Sequence, residues 1–325
     1  MSVTDIIPDI HGQAEKLRVA LRNLGWQRNG LTWSHPDPDR EIVFLGDFID
    51  RGPENAAVIR IVRELIDAGR ARAIMGNHEL NALHFHTKDP ETDLPLRAHK
   101  TKNFEQHASF LKEFPLGAPH TKDVLDWMKG LQLFIEADGF RAVHAAWIQS
   151  DVDRLRKYCE TGILNEDQLI RAARDGDEIH SIVETLTKGP EQTLPQPHQF
   201  VDKGGHVRRD IRVKWWGTEA KSWRDVAMSV PNLDDLPDLP LPDSFPTYGY
   251  LAKEKPVFFG HYWMSGQPVL QTENALCLDY SAGKDGPLVT YEMIEGDEKL
   301  DASRILVHDD RQSFIRTGQK KGRKG

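Results

Sequence analysis

Short apolar runs that stop abruptly at polar residues recur along the chain. Asp5-Ile6-Ile7 runs into Asp9 and His11, and Ile42-Val43-Phe44-Leu45 runs into Gly46-Asp47. Ala73-Ile74-Met75 leads to Gly76-Asn77-His78-Glu79, residues 140–143 lead to His144, and Val257-Phe258-Phe259 leads to Gly260-His261. Runs of this kind predict short strands that end in polar loops. After the first run, Ala14, Leu17, Ala20, Leu21 and Leu24 recur at helical spacing; after the second, Ala57, Val58, Ile61, Leu65 and Ile66 do the same, ending near Gly69. Strand, loop and helix in that order predict an α/β protein. Polar residues just beyond strand carboxyl ends gather at one edge of such a sheet, so the run ends predict a shared site.

Elsewhere the pattern is looser. Residues 87–95 predict a polar loop and residues 103–114 a helix. More than a hundred residues separate His144 from His261, with a charged helical stretch over 151–186 and a proline-rich one over 231–246. This predicts an insertion or lid at about 150–250 inside one domain spanning 1–310, followed by a basic, disordered tail over 311–325 that ends in Lys320-Lys321-Gly322-Arg323-Lys324.

Composition narrows the partners. Of 325 residues 39% are hydrophobic, enough to fill a core and to exclude disorder as the main state. Lys and Arg number 42 against 50 Asp and Glu, a net charge of −8, so no global basic field exists to hold nucleic acid or an anionic membrane. No apolar run is long enough to span a bilayer, and the start lacks a signal-peptide core. Cys159 and Cys277, with no CxxC pair, form neither a disulfide framework nor a thiolate zinc cluster, and the expected location is cytoplasmic.

The run ends supply carboxylate, imidazole and amide oxygen from Asp9, His11, Asp47, Asn77, His144 and His261. Such donors suit manganese, iron or zinc rather than calcium. Two cations held about 3.5–4 Å apart need a bridging carboxylate, for which Asp47 is the candidate; a water shared between them turns acidic, so no protein nucleophile is required. In Gly46-Asp47-Phe48-Ile49-Asp50-Arg51-Gly52, Arg51 offers a fork for phosphate oxygens. Asp50 is placed to orient His78, an imidazole able to protonate a leaving alkoxide. Glu79 is expected to brace the turn, and Gly46, Gly52 and Gly76 to let the backbone approach the metals.

Asp9-x-His11, Gly46-Asp47-x-x-Asp50-Arg51-Gly52, Gly76-Asn77-His78-Glu79, His144 and Gly260-His261, in this order, resemble the calcineurin-like metallophosphoesterase superfamily. The Asp-Arg-Gly form resembles its phosphoprotein phosphatase branch, of the bacterial type. The resemblance covers residues 1–85, then islands around 140–147 and 256–290. It implies a four-layer α/β/β/α sandwich with two metal ions, manganese first and iron or zinc as alternatives. By that resemblance one ion takes Asp9, His11 and Asp47, with His261 shared at this site; the other takes Asp47, Asn77, His144 and His261. The implied activity is phosphomonoester hydrolysis, with a phosphoprotein (Ser/Thr or Tyr) as leading substrate.

The chain also departs from the eukaryotic protein phosphatases. Ala145-Ala146 replaces a glycine pair, and the Trp-Ser-Asp-Pro block is absent, with Trp215-Trp216-Gly217-Thr218 near its place. A second phosphate-holding arginine is therefore not placed by motif; Arg212 and Arg224 are candidates, and Arg51, Asn77 and Arg212 make up the expected substrate contacts. The ending Gly260-His261-Tyr262-Trp263 is at least as similar to bacterial phosphatases and diadenosine tetraphosphatases. Dinucleoside polyphosphate hydrolysis is thus the alternative activity, and an inactive scaffold of the same fold the alternative from another class. A nuclease fits less well, because the chain is acidic.

Other residues are assigned blander roles. His84 and His86 are expected at the surface of a helix end, and His99, His107, His120, His180, His198 and His206 carry no expected function. Asp279, ending another run, stands between a site contact and edge packing. Trp215, Trp216, Trp223, Tyr262 and Trp263 are expected to form an aromatic core seam rather than a substrate groove.

Overall fold

In the first strand, Ile6 and Ile7 are both fully buried although successive side chains of a strand point to opposite faces, so this strand must be covered on both sides. The computed structural model shows what covers it. It describes residues 2–30, 32–202, 205–308 and 314–316; of the segment 311–325 expected as a disordered tail, residues 314–316 form a strand instead and the others lie outside the described residues.

The chain begins with β1 (Val3–Ile7), α1 (Ala14–Asn23), a hairpin of β2 (Gln27–Asn29) and β3 (Thr32–Ser34), β4 (Glu41–Phe44), α2 (Asn55–Asp67) and β5 (Ala71–Ala73). Helices α3 (Asn77–His86), α4 (Thr101–Glu113) and α5 (Pro119–Met128) lead to β6 (Phe134–Glu136) and β7 (Arg141–Val143). Then come α6 (Gln149–Arg156), α7 (Glu166–Ala172) and α8 (Glu178–Lys188), followed by β8 (Glu191–Thr193), β9 (Phe200–Val201), β10 (Val207–Arg208), β11 (Asp210–Val213), α9 (Trp223–Val226) and β12 (Ala227–Met228). The chain closes with β13 (Val257–Phe259), β14 (Ala275–Cys277), β15 (Leu288–Ile294), β16 (Ile305–His308) and β17 (Phe314–Arg316).

Two sheets dominate, one in the order β17-β16-β15-β1-β4-β5 and the other in the order β14-β13-β7-β6. Ile6, Val43, Val289 and Tyr291 of the first sheet pack with Ala142, Phe258 and Leu276 of the second in one apolar layer between them. The alternate residues Ile7, Ile42 and Phe44, and on the other sheet Val143, Val257, Phe259 and Cys277, face outward into apolar helix surfaces. Helices α1 and α2 supply Leu17, Leu21, Val58, Val62 and Leu65 to that outer core, and α6 to α8 supply Leu155, Leu169, Ile182 and Leu186. The result is the four-layer α/β/β/α arrangement expected from sequence. The segment expected as an insertion holds α6 to α8 and a small sheet in the order β12-β11-β8, whose own core is built on Leu194, Ile211, Val213 and Trp223.

Strand direction places the site. Strands β1, β4 and β5 are mutually parallel, as are β7, β13 and β14. All the run ends named above therefore emerge at sheet edges from carboxyl termini, and Asp279 follows β14 as a sixth. No helix among the described residues is long and apolar enough to cross a membrane.

Candidate metal centre and active site

Left-handed backbone marks the strand exits. His11, Asp47, Asp50, Arg51 and His261 have φ of 50°, 53°, 68°, 67° and 72°, a region that costs L residues about 1 kcal/mol or more each. Hydrogen bonds hold these turns. The Asp47 carbonyl accepts the N–H groups of Ile10 and His11, at 3.0 and 2.9 Å. Buried Glu79 braces the next turn as expected: one carboxylate oxygen accepts from the Asp47 and Gly76 backbones at 2.8 and 3.0 Å, the other from Phe48 at 2.8 Å. Gly76 has no room for a side chain, since a Cβ there would lie 2.2 Å from Asp47 Oδ1. Helix α3 starts at this point, and the His78 backbone N–H donates to Asp47 Oδ1 at 2.9 Å, so the helix N-terminus faces an anion.

The donor set converges. Asp47 Oδ2 lies 3.5 Å from His11 Nε2, and Asp47 Oδ1 lies 3.5 Å from His144 Nε2, so the two oxygens face opposite groups. Asn77 Oδ1 is 3.1 Å from His144 Nε2 and 2.8 Å from His261 Nδ1. Asp9, fully buried, accepts the His261 backbone N–H at 3.1 Å. His261 thus sits with its ring beside Asn77 and its backbone against Asp9.

Two tests show that these residues fit metal ions. His11 Nδ1 donates to the Ile49 carbonyl at 2.9 Å and His144 Nδ1 to that of Leu45 at 2.7 Å, which leaves each Nε2 to present a lone pair inward. His11 Nε2 and His261 Nε2 are buried with no hydrogen-bond partner among the described residues, although buried polar nitrogens are ordinarily paired. Electrostatics agrees. Burial and the Asp279 charge push the Asp9 carboxyl well up, and burial and Asp47 push Glu79 to about 7, as crowded buried carboxylates do. Burial drives His11 down to about 3 despite Asp47, keeping the imidazole neutral and able to ligate. Burial opposes, but Asp47 and Asp9 outweigh it, in raising His144 to about 10, so a cation bound here would displace a proton from Nε2.

Beside this centre, His78 Nδ1 is 2.6 Å from Asp50 Oδ2, the pair expected from sequence, and His78 Nε2 is 3.3 Å from Arg51 Nη2. Burial lowers the His78 pKa, but Asp47 and the Asp50 hydrogen bond outweigh it and leave it raised. The guanidinium of Arg51 lies over the Trp263 ring, 3.7 Å from its centroid. A cavity of about 830 Å³ opens here, lined by Arg51, Asn77, His78, His261 and Trp263 and by residues of α4. Arg212, on β11, also lines it. Arg224 does not: it donates to the Leu236 carbonyl at 3.2 Å and lies 3.9 Å from Asp234 and Asp238.

Several sequence expectations change. His84 is buried, not at the surface, and bonds the Leu169 carbonyl at 3.0 Å because α7 packs over the end of α3. His86 is half-buried and its Nε2 lies 3.2 Å from that of His107. His107, given no role from sequence, contacts Asp50 Oδ1 at 2.8 Å. Trp215, Trp216, Trp223 and Tyr262 are buried in apolar seams, but half-buried Trp263 lies in the cavity wall. Asp279 is buried and accepts the Trp263 backbone N–H at 2.8 Å, which fixes the turn after His261. Sequence reasoning also missed Asn55 and Glu113. Asn55 Oδ1 accepts the Asp50 N–H at 2.7 Å, and Glu113 from α4 accepts the Asn55 N–H at 2.6 Å at the start of α2. The asparagine opening α2 was the available signal, since such residues favour helix starts and turns.

Facing sheets whose parallel strands deliver carboxylates, imidazoles and an amide to one edge, flanked by an Asp-His pair and an arginine, define the class of metallophosphoesterases. This chain belongs to the calcineurin-like phosphoesterase family, whose model matches residues 4–185. It is 45% identical over 74 residues to the asymmetrical bis(5'-nucleosyl)-tetraphosphatase PrpE of Oceanobacillus iheyensis, covering 23% of this chain and 29% of that protein. It is 32% identical over 108 residues to a symmetrical bis(5'-nucleosyl)-tetraphosphatase of a Janthinobacterium species, covering 33% and 34%. The matches therefore span about a third or less of those relatives. A cold-active protein-tyrosine phosphatase of a Shewanella species shares the fold, with a TM-score of 0.50 at 15% identity over 96% of this chain and 79% of that one.

Proposed function

We propose that this protein hydrolyses a substrate carrying a chain of phosphates, of the dinucleoside polyphosphate class, at a two-metal centre. The observation that carries this reading is the charge of the cavity. Arg51, Arg97, Lys102, Lys112, Arg212 and Lys284 line it, against Asp50 and Glu105 as its acidic residues. Arg97, Lys102, Lys112 and Lys284 line it without a salt bridge among the described residues, although the Asp50 and Glu184 charges act on Arg97. On a chain of net charge −8, a local bank of cations matches a polyanion better than a single phosphate on a protein surface. The tetraphosphatase relatives agree with this choice over the phosphoprotein substrate ranked first from sequence.

Asp9, His11 and Asp47 would hold one metal ion, and Asp47, Asn77, His144 and His261 the other, with manganese the first candidate. Ions so held would supply Lewis acidity and lower the pKa of a nearby water. The chain's own residues do the rest. Arg51 binds phosphate oxygens and is held in place by stacking on Trp263. His78, oriented by Asp50, gives its proton to the leaving oxygen. The direct test compares diadenosine tetraphosphate with phosphoserine and phosphotyrosine peptides. The proposal expects kcat/KM at least about tenfold higher for the dinucleotide; the reverse preference would return the substrate to phosphoproteins.

A further inference from the structure

Asp50 holds two imidazoles, one on each carboxylate oxygen. Oδ2 meets His78 Nδ1 at 2.6 Å, and Oδ1 meets His107 Nδ1 at 2.8 Å. Asp50 and His107 are 2% and 5% exposed, so water does not compete for either bond. The His107 ring is itself fixed: it stacks on Phe110 with centroids 4.7 Å apart and planes 19° from parallel, and it meets Phe85 edge-on with centroids 5.2 Å apart. Its far nitrogen, Nε2, lies 3.2 Å from His86 Nε2. The Asp50 carboxylate can only accept, so His107 Nδ1 is the donor in this bond.

We infer that His107 is a positioning residue for the proton donor, fixing the plane of the Asp50 carboxylate and through it the orientation of His78. A carboxylate tied at one oxygen turns about its terminal torsion, which is broad. Tied at both oxygens, it presents Oδ2 in one direction, and the His78 ring is held with Nε2 toward Arg51 and the cavity. Helix α4 thereby carries both the lysine-rich wall and the support for the proton donor.

The inference rests on the His78 role proposed above, and its test separates the two. Asparagine places an amide nitrogen near the position of Nδ1, whereas glutamine reaches the position of Nε2 and leaves Asp50 Oδ1 without a donor. His107→Asn, His107→Gln and His78→Asn are compared on phenyl phosphate, whose leaving oxygen is basic and needs a proton, and on 2,4-dinitrophenyl phosphate, which needs none. His107→Gln is expected to lower kcat on phenyl phosphate by about 10- to 100-fold, with KM and metal content unchanged and little loss on the dinitrophenyl ester. His107→Asn is expected to restore most of it. Equal losses on both esters, or identical behaviour of the Asn and Gln variants, would overturn the inference. A His78→Asn variant without leaving-group dependence would instead remove the His78 role. Independently of turnover, the proton resonance of His78 Nδ1–H is expected downfield in wild type and His107→Asn and displaced in His107→Gln; an unchanged resonance in all three also overturns the inference.

Discussion

Replacing Gly260 with alanine tests how tightly the metal centre is built, because the added methyl meets a ligand directly. A Cβ at Gly260 would lie 1.9 Å from Asp9 Oδ1 and 3.1 Å from its Cγ, where real Cβ contacts essentially never fall below 3.0 Å. Gly260 is not among the positive-φ glycines, so the cost is steric and not one of left-handed backbone. Asp9 has nowhere to retreat: it is fully buried, and its carboxylate already accepts the His261 N–H. Something must therefore yield by about 1 Å, on the scale where overpacking costs about 1–3 kcal/mol of stability. A ligand or reacting group misplaced by about 1 Å costs on the order of 10²-fold in rate. Gly260→Ala should retain the fold with a lowered melting temperature, bind one of its metal ions weakly, and turn over about 100-fold more slowly. Metal content by elemental analysis, thermal unfolding and kcat measure the three effects. Gly139→Ala is the control, since a Cβ there makes an ordinary 3.7 Å contact with the Met293 methyl at the far end of the sheets. Two tightly bound ions and wild-type turnover in Gly260→Ala would refute the packing argument.

Other outcomes follow from the same geometry. His78→Asn should keep its metals and lose about 10²- to 10⁴-fold in kcat, while Asp47→Asn should lose metal and activity together; two ions retained in Asp47→Asn would argue against the bridge. Charge reversal at Arg97 and Lys102, which line the cavity away from the donors, should raise KM for a dinucleoside polyphosphate and leave para-nitrophenyl phosphate hydrolysis near normal; equal effects on both substrates would detach the cationic bank from recognition. Burial lowers His84 from its usual 6.5 to about 4. A folded pKa below the unfolded one means its stabilisation is present above 6.5 and lost as pH falls toward 4, so the stability advantage of wild type over His84→Gln should shrink across that window by about 1.4 kcal/mol per pH unit in urea unfolding. A constant difference would show that His84 stays protonated alike in both states.

Much of this site was legible because its chemistry is local in sequence. Each donor follows an apolar run by one to four residues, and strands carry such positions to a common edge whatever the details of packing. Asp50 and His78 could be paired because both lie within turns already tied to the centre. His107 could not. It sits on a helix whose register against Asp50 depends on how α4 packs, and in sequence it is the one histidine of that helix, with nothing beside it to tell it from His99 or His120. The buried state of His84 was hidden for the same reason, since α7 arrives from eighty-five residues further on to cover it. Trp263 illustrates the converse: an aromatic residue beside buried Tyr262 suggested a continuous seam, but its left-handed backbone, with φ of 51°, turns it into the cavity to meet Arg51.

The central claim, that these strand ends form a two-metal hydrolytic centre, is tested most directly by metal-stripped protein titrated with Mn²⁺ while binding and phosphate release are followed together. The account predicts two ions bound per chain, with hydrolysis rising only as the second site fills. Saturation at one ion, or hydrolysis that persists in the stripped protein, would contradict it.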